Sequence, residues 1–289
     1  MKSQNESPGT RSVLVIHPRL SAYAGGELLA LWTCKILQQM EYHVTLVADV
    51  FEPSRVEEVY GMGEVLTKCR QIQMPRPHKR MPFHLEILTR LLYVVRLAKF
   101  AKSLNAMDFK FVLSTQSSIF SFPGKRLYHF VYGIEDLFRY PIPLIAAPGA
   151  RVGRLKRLYL YFLRSIYRRL APPPLPNWFF ADGLNLLKQL QRIGYSNSSF
   201  FYPPSRVFKP RLPKKNQVIQ VSRVVPEKRI EVLFEIARKL PSYKFILVGK
   251  NLGAERNLNP GYYEKLFSKR PRNVSYIEIP IIQNAELLE

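Results

Sequence analysis

Two short, almost wholly apolar runs separated by a helical segment constrain the fold of this chain more than any other feature. The first run is Ser12–His17 and the second is His43–Ala48. Runs of this kind are typical of parallel strands that are buried on both faces. Between them, after a loop of small residues, residues 28–40 carry apolar side chains at helical spacing. This order predicts a parallel sheet with right-handed crossovers, and therefore an α/β fold.

The pattern continues and then restarts, which indicates two domains in the 289 residues. Further strands are predicted at residues 109–114 and 126–131, and helices at residues 85–104, 151–170 and 183–193, the last with Asp182 as N-cap. We predict a disordered N-terminus at residues 1–11, a first domain at 12–205, a proline-containing linker at 206–215 and a second domain at 216–289.

The second predicted domain contains few strands. Its pattern predicts strands at residues 218–222, 244–248 and 273–279, and helices at residues 229–240 and 261–269. An open parallel sheet usually needs more strands to bury its faces. We therefore predict that this domain is incomplete, and that the chain is truncated within it.

The formal net charge of +23 predicts anionic partners, such as phosphorylated substrates, anionic lipid or nucleic acid. Cys34 and Cys69 lack metal-ligand spacing and are predicted to be free thiols. The polar N-terminus lacks the apolar core of a signal peptide, and no run reaches the ~18 apolar residues of a spanning helix. These features predict a cytoplasmic protein, with peripheral contact to the cytoplasmic membrane face left open.

The opening of the second domain carries a family resemblance. Residues 221–229, which read VSRVVPEKR, stand between a predicted strand and a helix, and the next strand leads into Gly249. This order resembles retaining glycosyltransferase family 4, which has the GT-B fold of two Rossmann-like parallel-sheet domains. The resemblance implies that Arg223 and Lys228 bind the diphosphate of a nucleotide sugar, and that Gly249 is adjacent to the nucleotide. Two cations beside a helix N-terminus also suit an anion physically.

The first domain adds two points of resemblance. The loop that ends in Gly25, Gly26 and Glu27 resembles the glycine-rich loop of the family, which implies contact with a phosphate or the acceptor. Residues 126–133, RLYHFVYG, resemble the segment that places a histidine near the reacting sugar. The resemblance thus implies that His129 is catalytic and lies at the end of a strand. By their residue types alone, a tight turn and a semi-buried histidine remain open alternatives.

Together these features imply transfer of a sugar from a nucleoside-diphosphate sugar to a hydroxyl of a glycan or lipid-linked acceptor. The family retains the anomeric configuration and uses no metal or other cofactor, and the five histidines here include no metal-ligand pair. Ser222 and Glu278 replace glycines of the family, and the paired glutamates that hold the donor sugar have no counterpart. An inactive acceptor-domain fragment is therefore the alternative.

A basic segment, Arg151–Arg169, contains seven arginine or lysine residues and no acid, with aromatic and aliphatic residues between them. Such a helix can lie on an anionic membrane surface, or it can pack on the core and leave a basic face in solvent. A basic, aromatic-rich chain can also bind nucleic acid, but it lacks a recognisable nucleic-acid-binding motif. We therefore expect no nucleic-acid partner.

Overall fold

A computed structural model describes residues 11–22, 25–75, 83–115, 122–132, 154–170, 177–203, 215–249 and 261–278. The chain divides into two compact units, Met1–Ser205 and Arg206–Glu289. Each unit has its own sheet, and all strand pairs are parallel.

The first unit is a seven-stranded sheet in the order β3-β2-β1-β4-β5-β6-β7. Its strands are β1 (Ser12–Ile16), β2 (His43–Ala48), β3 (Arg70–Gln73), β4 (Phe111–Ser114), β5 (Leu127–Val131), β6 (Trp178–Ala181) and β7 (Ser198–Phe200). The described helices of this unit are α1 (Gly25–Gln39), α2 (Pro53–Tyr60), α3 (Gly63–Thr67), α4 (Phe83–Asn105), α5 (Arg154–Leu170) and α6 (Leu184–Arg192), besides a 3-10 turn at Leu20–Ala22.

The centre of this sheet is its most apolar part. Strand β1 pairs with β2 on one side and β4 on the other, and Val13, Leu14 and Val15 are completely buried. This confirms the prediction of a strand buried on both faces. The edge strand β3 is largely exposed and reads RQIQ, so it lacks the apolar run by which β1 and β2 were recognised.

One face of the sheet packs against α4 and α5. Leu14, Val112 and Leu127 from the strands join Leu97 of α4 and Leu163 of α5 in a single core. A Leu in such a position typically contributes about 2–3 kcal/mol by burial. Within the described residues, no helix is both long and apolar enough to cross a membrane.

The second unit has a three-stranded sheet in the order β10-β9-β8. Its strands are β8 (Gln217–Val221), β9 (Lys244–Gly249) and β10 (Val274–Glu278), and its helices are α7 (Ile230–Lys239) and α8 (Tyr262–Phe267), with a 3-10 turn at Pro226–Lys228. Phe234 of α7 packs with Phe245 and Leu247 of β9 and with Leu266 of α8 in the core of this unit.

Strand β8 is the first strand of the second unit in the sequence, as β1 is of the first unit, but its environment differs. Whereas β1 has a neighbouring strand on each side, β8 pairs only with β9 among the described residues. Val218, Ile219 and Val221 are consequently 36%, 46% and 46% exposed. The apolar sequence of β8 therefore resembles that of a central strand, although this strand lies at an edge of its sheet.

The structure also corrects details of the sequence predictions. Asp182 is not the N-cap of α6, because the helix begins one residue later and Gly183 occupies that position without a side-chain hydrogen bond. Helix α1 begins at Gly25, three residues before the predicted start. Both cysteines are free and buried, as predicted for the thiols. Residues 1–10 and most of the predicted linker lie outside the described residues.

Candidate functional site

Polar residues follow several strands at the carboxyl edge of the first sheet. His17 follows β1, Thr115 follows β4, Tyr132 follows β5 and Asp182 follows β6. Parallel strands end at the same edge, and ligands of open α/β sheets bind in the crevice outside these carboxyl ends. This edge is therefore the candidate site of the first unit.

A buried hydrogen-bonded network lies at this edge. Nδ1 of His17 is 2.9 Å from Oγ1 of Thr115, and Nε2 of His17 is 3.4 Å from Oε1 of Glu27. The side chain of His17 is completely buried, and the Glu27 residue is only 3% exposed. The network thus connects β1, β4 and the first turn of α1 through side chains that are shielded from water.

The residues predicted as a phosphate or acceptor loop occupy the first turn of α1. Gly25 and Gly26 open the helix, and Glu27 is its third residue. A Cβ added to Gly26 would lie 3.7 Å from Cε1 of His17 and 4.0 Å from the hydroxyl of Tyr132. The start of the helix therefore lies close to both residues. The contact of this turn with a phosphate or acceptor stays a prediction.

His129 lies in the middle of β5 rather than at the end of a strand, so its predicted position was wrong. Its ring is completely buried, and among the described residues neither ring nitrogen has a hydrogen-bond partner. Leu127 and Val131, two residues away on either side, both belong to hydrophobic clusters. Phe179 packs edge-to-face on the His129 ring, with 6.1 Å between the ring centroids. Desolvation lowers the pKa of His129 to about 3. Its catalytic role stays a prediction.

Asp182 lies at the same sheet edge, one residue beyond β6. Its backbone N–H donates to the carbonyl oxygen of Val131 at 3.4 Å, which holds the end of β6 beside the end of β5. Partial desolvation raises the pKa of the Asp182 carboxyl group. Asp182 thus adds a carboxyl group to this edge, a position that the sequence analysis had interpreted as a helix cap.

In the second unit, Arg223 and Lys228 flank a tightly bonded turn between β8 and α7. Val224 and Val225 are buried between them, and they anchor the turn to the core. The N–H of Val225 donates to Arg223 O at 3.1 Å, and that of Lys228 to Val225 O at 3.0 Å. Both cations are exposed, and neither has a carboxylate partner within the part of the chain that the structure describes.

Gly249 ends β9 in a conformation that requires glycine. Its φ angle is +158°, and an added Cβ would lie only 1.8 Å from the carbonyl oxygen of Ser222. The hydroxyl of Tyr276 donates to Gly249 O at 3.0 Å, and desolvation and the nearby Glu278 raise the pKa of Tyr276 to about 12. Tyr276 therefore stays protonated at neutral pH and holds the end of β9. These contacts keep the end of β9 against the backbone that follows β8.

Sequence reasoning missed the part that His17 and Thr115 play in the first unit. Their contact joins residues 98 positions apart, and it depends on the pairing of β1 with β4. The available signal was that both residues directly follow apolar strands. In the described residues, no group of three or more His, Cys, Asp or Glu side chains is arranged to hold a metal ion.

Many solved structures are similar to this chain, among them the following two. Anabaena HepE, crystallised in complex with UDP and glucose, is 13% identical with a TM-score of 0.55, over 92% of this chain and 68% of that chain. A glycosyltransferase from Rickettsia africae is 14% identical with a TM-score of 0.51, over 97% of this chain and 71% of that chain. The sequence matches no protein-family model and no curated protein sequence.

At these identities the similarity is one of fold. The chain has an α/β fold with two parallel sheets, and this fold is the GT-B fold of glycosyltransferases. The fold class predicted from the sequence is therefore confirmed.

The close approach at Gly249 leads to a stability prediction. We expect Gly249→Ala to destabilise the second sheet by about 2–4 kcal/mol. The new Cβ must displace the backbone at Ser222, and the alanine must adopt a strained φ. The matched control is Gly261→Ala, where φ is also positive at +80° but an added Cβ meets no atom of the described residues within 4 Å.

Hydrogen exchange of the β8 and β9 amides measures both variants on the same sheet. Gly261→Ala should cost only about 1–2 kcal/mol, the steric penalty of a left-handed residue. Equal losses of protection in the two variants would show that the contact with Ser222 carries no extra energy.

Proposed function

We propose that this chain is a glycosyltransferase that transfers a sugar from a nucleoside-diphosphate sugar to a hydroxyl group of an acceptor. The observation that carries the proposal is the turn between β8 and α7. This turn exposes Arg223 and Lys228 to solvent while Val224 and Val225 between them are buried. The GT-B fold supports it, as does the crystallisation of HepE with UDP and glucose. A non-enzymatic nucleic-acid-binding protein is not favoured by this fold.

The chemistry follows from the charges of this turn. When the glycosidic bond to the nucleotide breaks, negative charge develops on the departing diphosphate. Arg223 and Lys228 can stabilise this charge if they contact it, which is electrostatic stabilisation of the transition state. They would then supply the charge that a divalent cation supplies in other enzymes. We accordingly propose a metal-independent reaction, and, from the family resemblance, retention of the anomeric configuration.

The first test concerns the diphosphate site. We expect Arg223→Ala and Lys228→Ala each to weaken UDP binding about tenfold, because each removes a charge-assisted hydrogen bond. The control is Lys239→Ala, which removes an exposed cation at the opposite end of α7 and should stay within twofold. Isothermal titration calorimetry with UDP measures all three.

Release of UDP from UDP-glucose, with and without EDTA, extends the test to turnover. Binding that is equal in all variants would contradict the assigned site. Binding of UDP without turnover of any nucleotide sugar would favour the alternative, an inactive fragment.

A second test concerns His129. The folded protein keeps this ring neutral down to about pH 3, whereas the unfolded chain takes up a proton near pH 6.5. The free energy of unfolding therefore has its full value above pH 6.5, where the ring is neutral in both states. Below pH 6.5 it falls by about 1.4 kcal/mol per pH unit, because only the unfolded chain takes up the proton. His129→Leu should remove this slope and be at least as stable at pH 7, because it removes a buried polar group without a partner.

Urea unfolding at pH 7.5, 6.0 and 5.0 measures the slope, and His43→Gln, on an exposed residue, should leave it intact. If His129 contacts the reacting sugar, His129→Leu also abolishes transfer while UDP binding persists. A fully active His129→Leu enzyme would overturn the catalytic assignment.

We further propose that the outer face of α5 lies on an anionic membrane surface, from which the enzyme would reach a lipid-linked acceptor. Tyr159, Leu163 and Ile166 pack on the core beside α4. On the outer side, Leu158, Tyr161 and Phe162 are 70%, 59% and 56% exposed. The helix contains six cations and no acid, a composition suited to an interface with anionic lipid. The inner face of the helix thus packs on the core, and the proposal assigns the membrane contact to its outer face alone.

Co-sedimentation with vesicles tests this surface. We expect binding to vesicles that contain about 30% phosphatidylserine and weak binding to neutral vesicles, because anionic lipid attracts the cations of α5. A Tyr161→Ser, Phe162→Ser double variant should lose most of the binding. Leu184→Ser, at a leucine of α6 that is 58% exposed, is the control. Binding that ignores the anionic lipid content would exclude the proposal.

A further inference from the structure

The two cysteines of the chain lie together in the first unit. Cys34 belongs to α1 and is completely buried, whereas Cys69 lies between α3 and β3 and is 7% exposed. Their thiols share a hydrogen bond. Gln38, one turn after Cys34 on the same helix, donates from Nε2 to Sγ of Cys69 at 3.2 Å. Two side chains of α1 therefore contact the sulfur of Cys69.

These contacts make the two thiols chemically unequal. The hydrogen bond from Cys34 lowers the pKa of the Cys69 thiol, burial opposes this effect, and the amide of Gln38 adds to it. The same hydrogen bond raises the pKa of Cys34, as do burial and the charge of Cys69. The thiolate is the nucleophilic form of cysteine. Cys69 is therefore the more reactive thiol, and it is also the one with exposed surface.

The surroundings of Cys69 accommodate a thiolate. In the thiol form, Sγ of Cys69 donates to the carbonyl oxygen of Val65 at 3.2 Å. Nε2 of Gln38 donates to the same oxygen at 3.0 Å. When Cys69 loses its proton, the oxygen of Val65 keeps the hydrogen bond from Gln38. Ionisation therefore leaves no acceptor of this group without a partner, which avoids the cost of an unpaired buried carbonyl.

The pair lies away from the candidate site. Cys69 directly precedes β3, and Cys34 lies in the later half of α1, which leads back to the start of β2. Both positions belong to the amino edge of the parallel sheet, whereas the candidate site is at the carboxyl edge. The chemistry of these thiols is consequently independent of the proposed glycosyltransferase function.

We infer that Cys69 and Cys34 form an oxidation site at which hydrogen peroxide converts the two thiols into a disulfide, with Cys69 as the attacking sulfur. The Cys69 thiolate attacks one peroxide oxygen, the O–O bond breaks and hydroxide leaves, so that Cys69 becomes a sulfenic acid. The sulfur of Cys34 then attacks that of Cys69. The S–S bond forms, the S–O bond breaks, and water leaves with the proton of Cys34. Each sulfur loses one electron, and the peroxide takes up two.

Thiol counting and peptide mapping of the whole chain test the disulfide without any substitution. After treatment with hydrogen peroxide, we expect the count in denaturant to fall from two thiols to none. Mass spectrometry without reduction should find the Cys34 and Cys69 peptides joined within one chain, and dithiothreitol should separate them. Two remaining thiols, an oxidised Cys69 that never joins Cys34, or disulfides only between chains would overturn the inference.

Dimedone, which labels sulfenic acids, tests the order of the two steps. Cys34→Ser should accumulate label at Cys69, because the thiol that resolves the sulfenic acid is missing. Cys69→Ser should leave Cys34 unlabelled, because that thiol is completely buried and stays protonated. Label on Cys34 in this variant, at the rate found for Cys69, would contradict the assigned roles.

The part played by Gln38 is measured in a chain that keeps both thiols. Gln38→Met should slow disulfide formation about threefold, since the loss of one hydrogen bond lowers the thiolate fraction while the thiolate that remains is more nucleophilic. The matched control is Gln39→Met, at the exposed next residue, which should leave the rate unchanged. Equal rates in the two variants would overturn the activation of Cys69 by its α1 contacts.

Discussion

Parallel strand pairing is the constraint on which the rest of this structure depends. Because every strand in both sheets runs in the same direction as its neighbours, each connection must cross back over a sheet face, and the carboxyl ends of the strands collect at one edge. In the first unit this arrangement brings His17 beside Thr115. In the second it brings Gly249 against Ser222. Backbone hydrogen bonds between the strands thus make neighbours of residues that are far apart in the sequence, independently of their side chains.

The two buried histidines of the first unit show how differently the same residue type can be accommodated. His17 has a partner for each ring nitrogen, so its burial costs little and its orientation is fixed. His129 has no partner for either nitrogen among the described residues, and burial of such a group typically costs about 1–3 kcal/mol. A polar group kept at this cost in a packed strand calls for an explanation. Because the ring has no exposed surface, the proposed contact with a sugar does not account for this cost.

The second unit shows a related balance between anchoring and exposure. Its turn after β8 holds Val224 and Val225 in the core, which leaves Arg223 and Lys228 on the surface without the entropy cost of a long mobile loop. The glycine at the end of β9 allows the two strand ends to touch, and an alanine there would separate them. A fixed backbone of this kind would limit the reorganisation of the turn if, as proposed, its cations contact a departing diphosphate.

The sequence by itself determined the α/β class, the central strands β1, β2 and β9, and the helices α1, α4, α5 and α7, because hydrophobic periodicity reports burial directly. It did not reveal β3, which reads RQIQ, or β7, which reads SSF, because neither strand carries an apolar run such as the one that the edge strand β8 has. Only the tertiary structure decided that His129 is enclosed, that Asp182 lies at the sheet edge, and that Thr115 and Glu27 both lie within hydrogen-bonding distance of His17. These facts depend on strand order and register, and contacts that span about a hundred residues leave no local trace in a sequence.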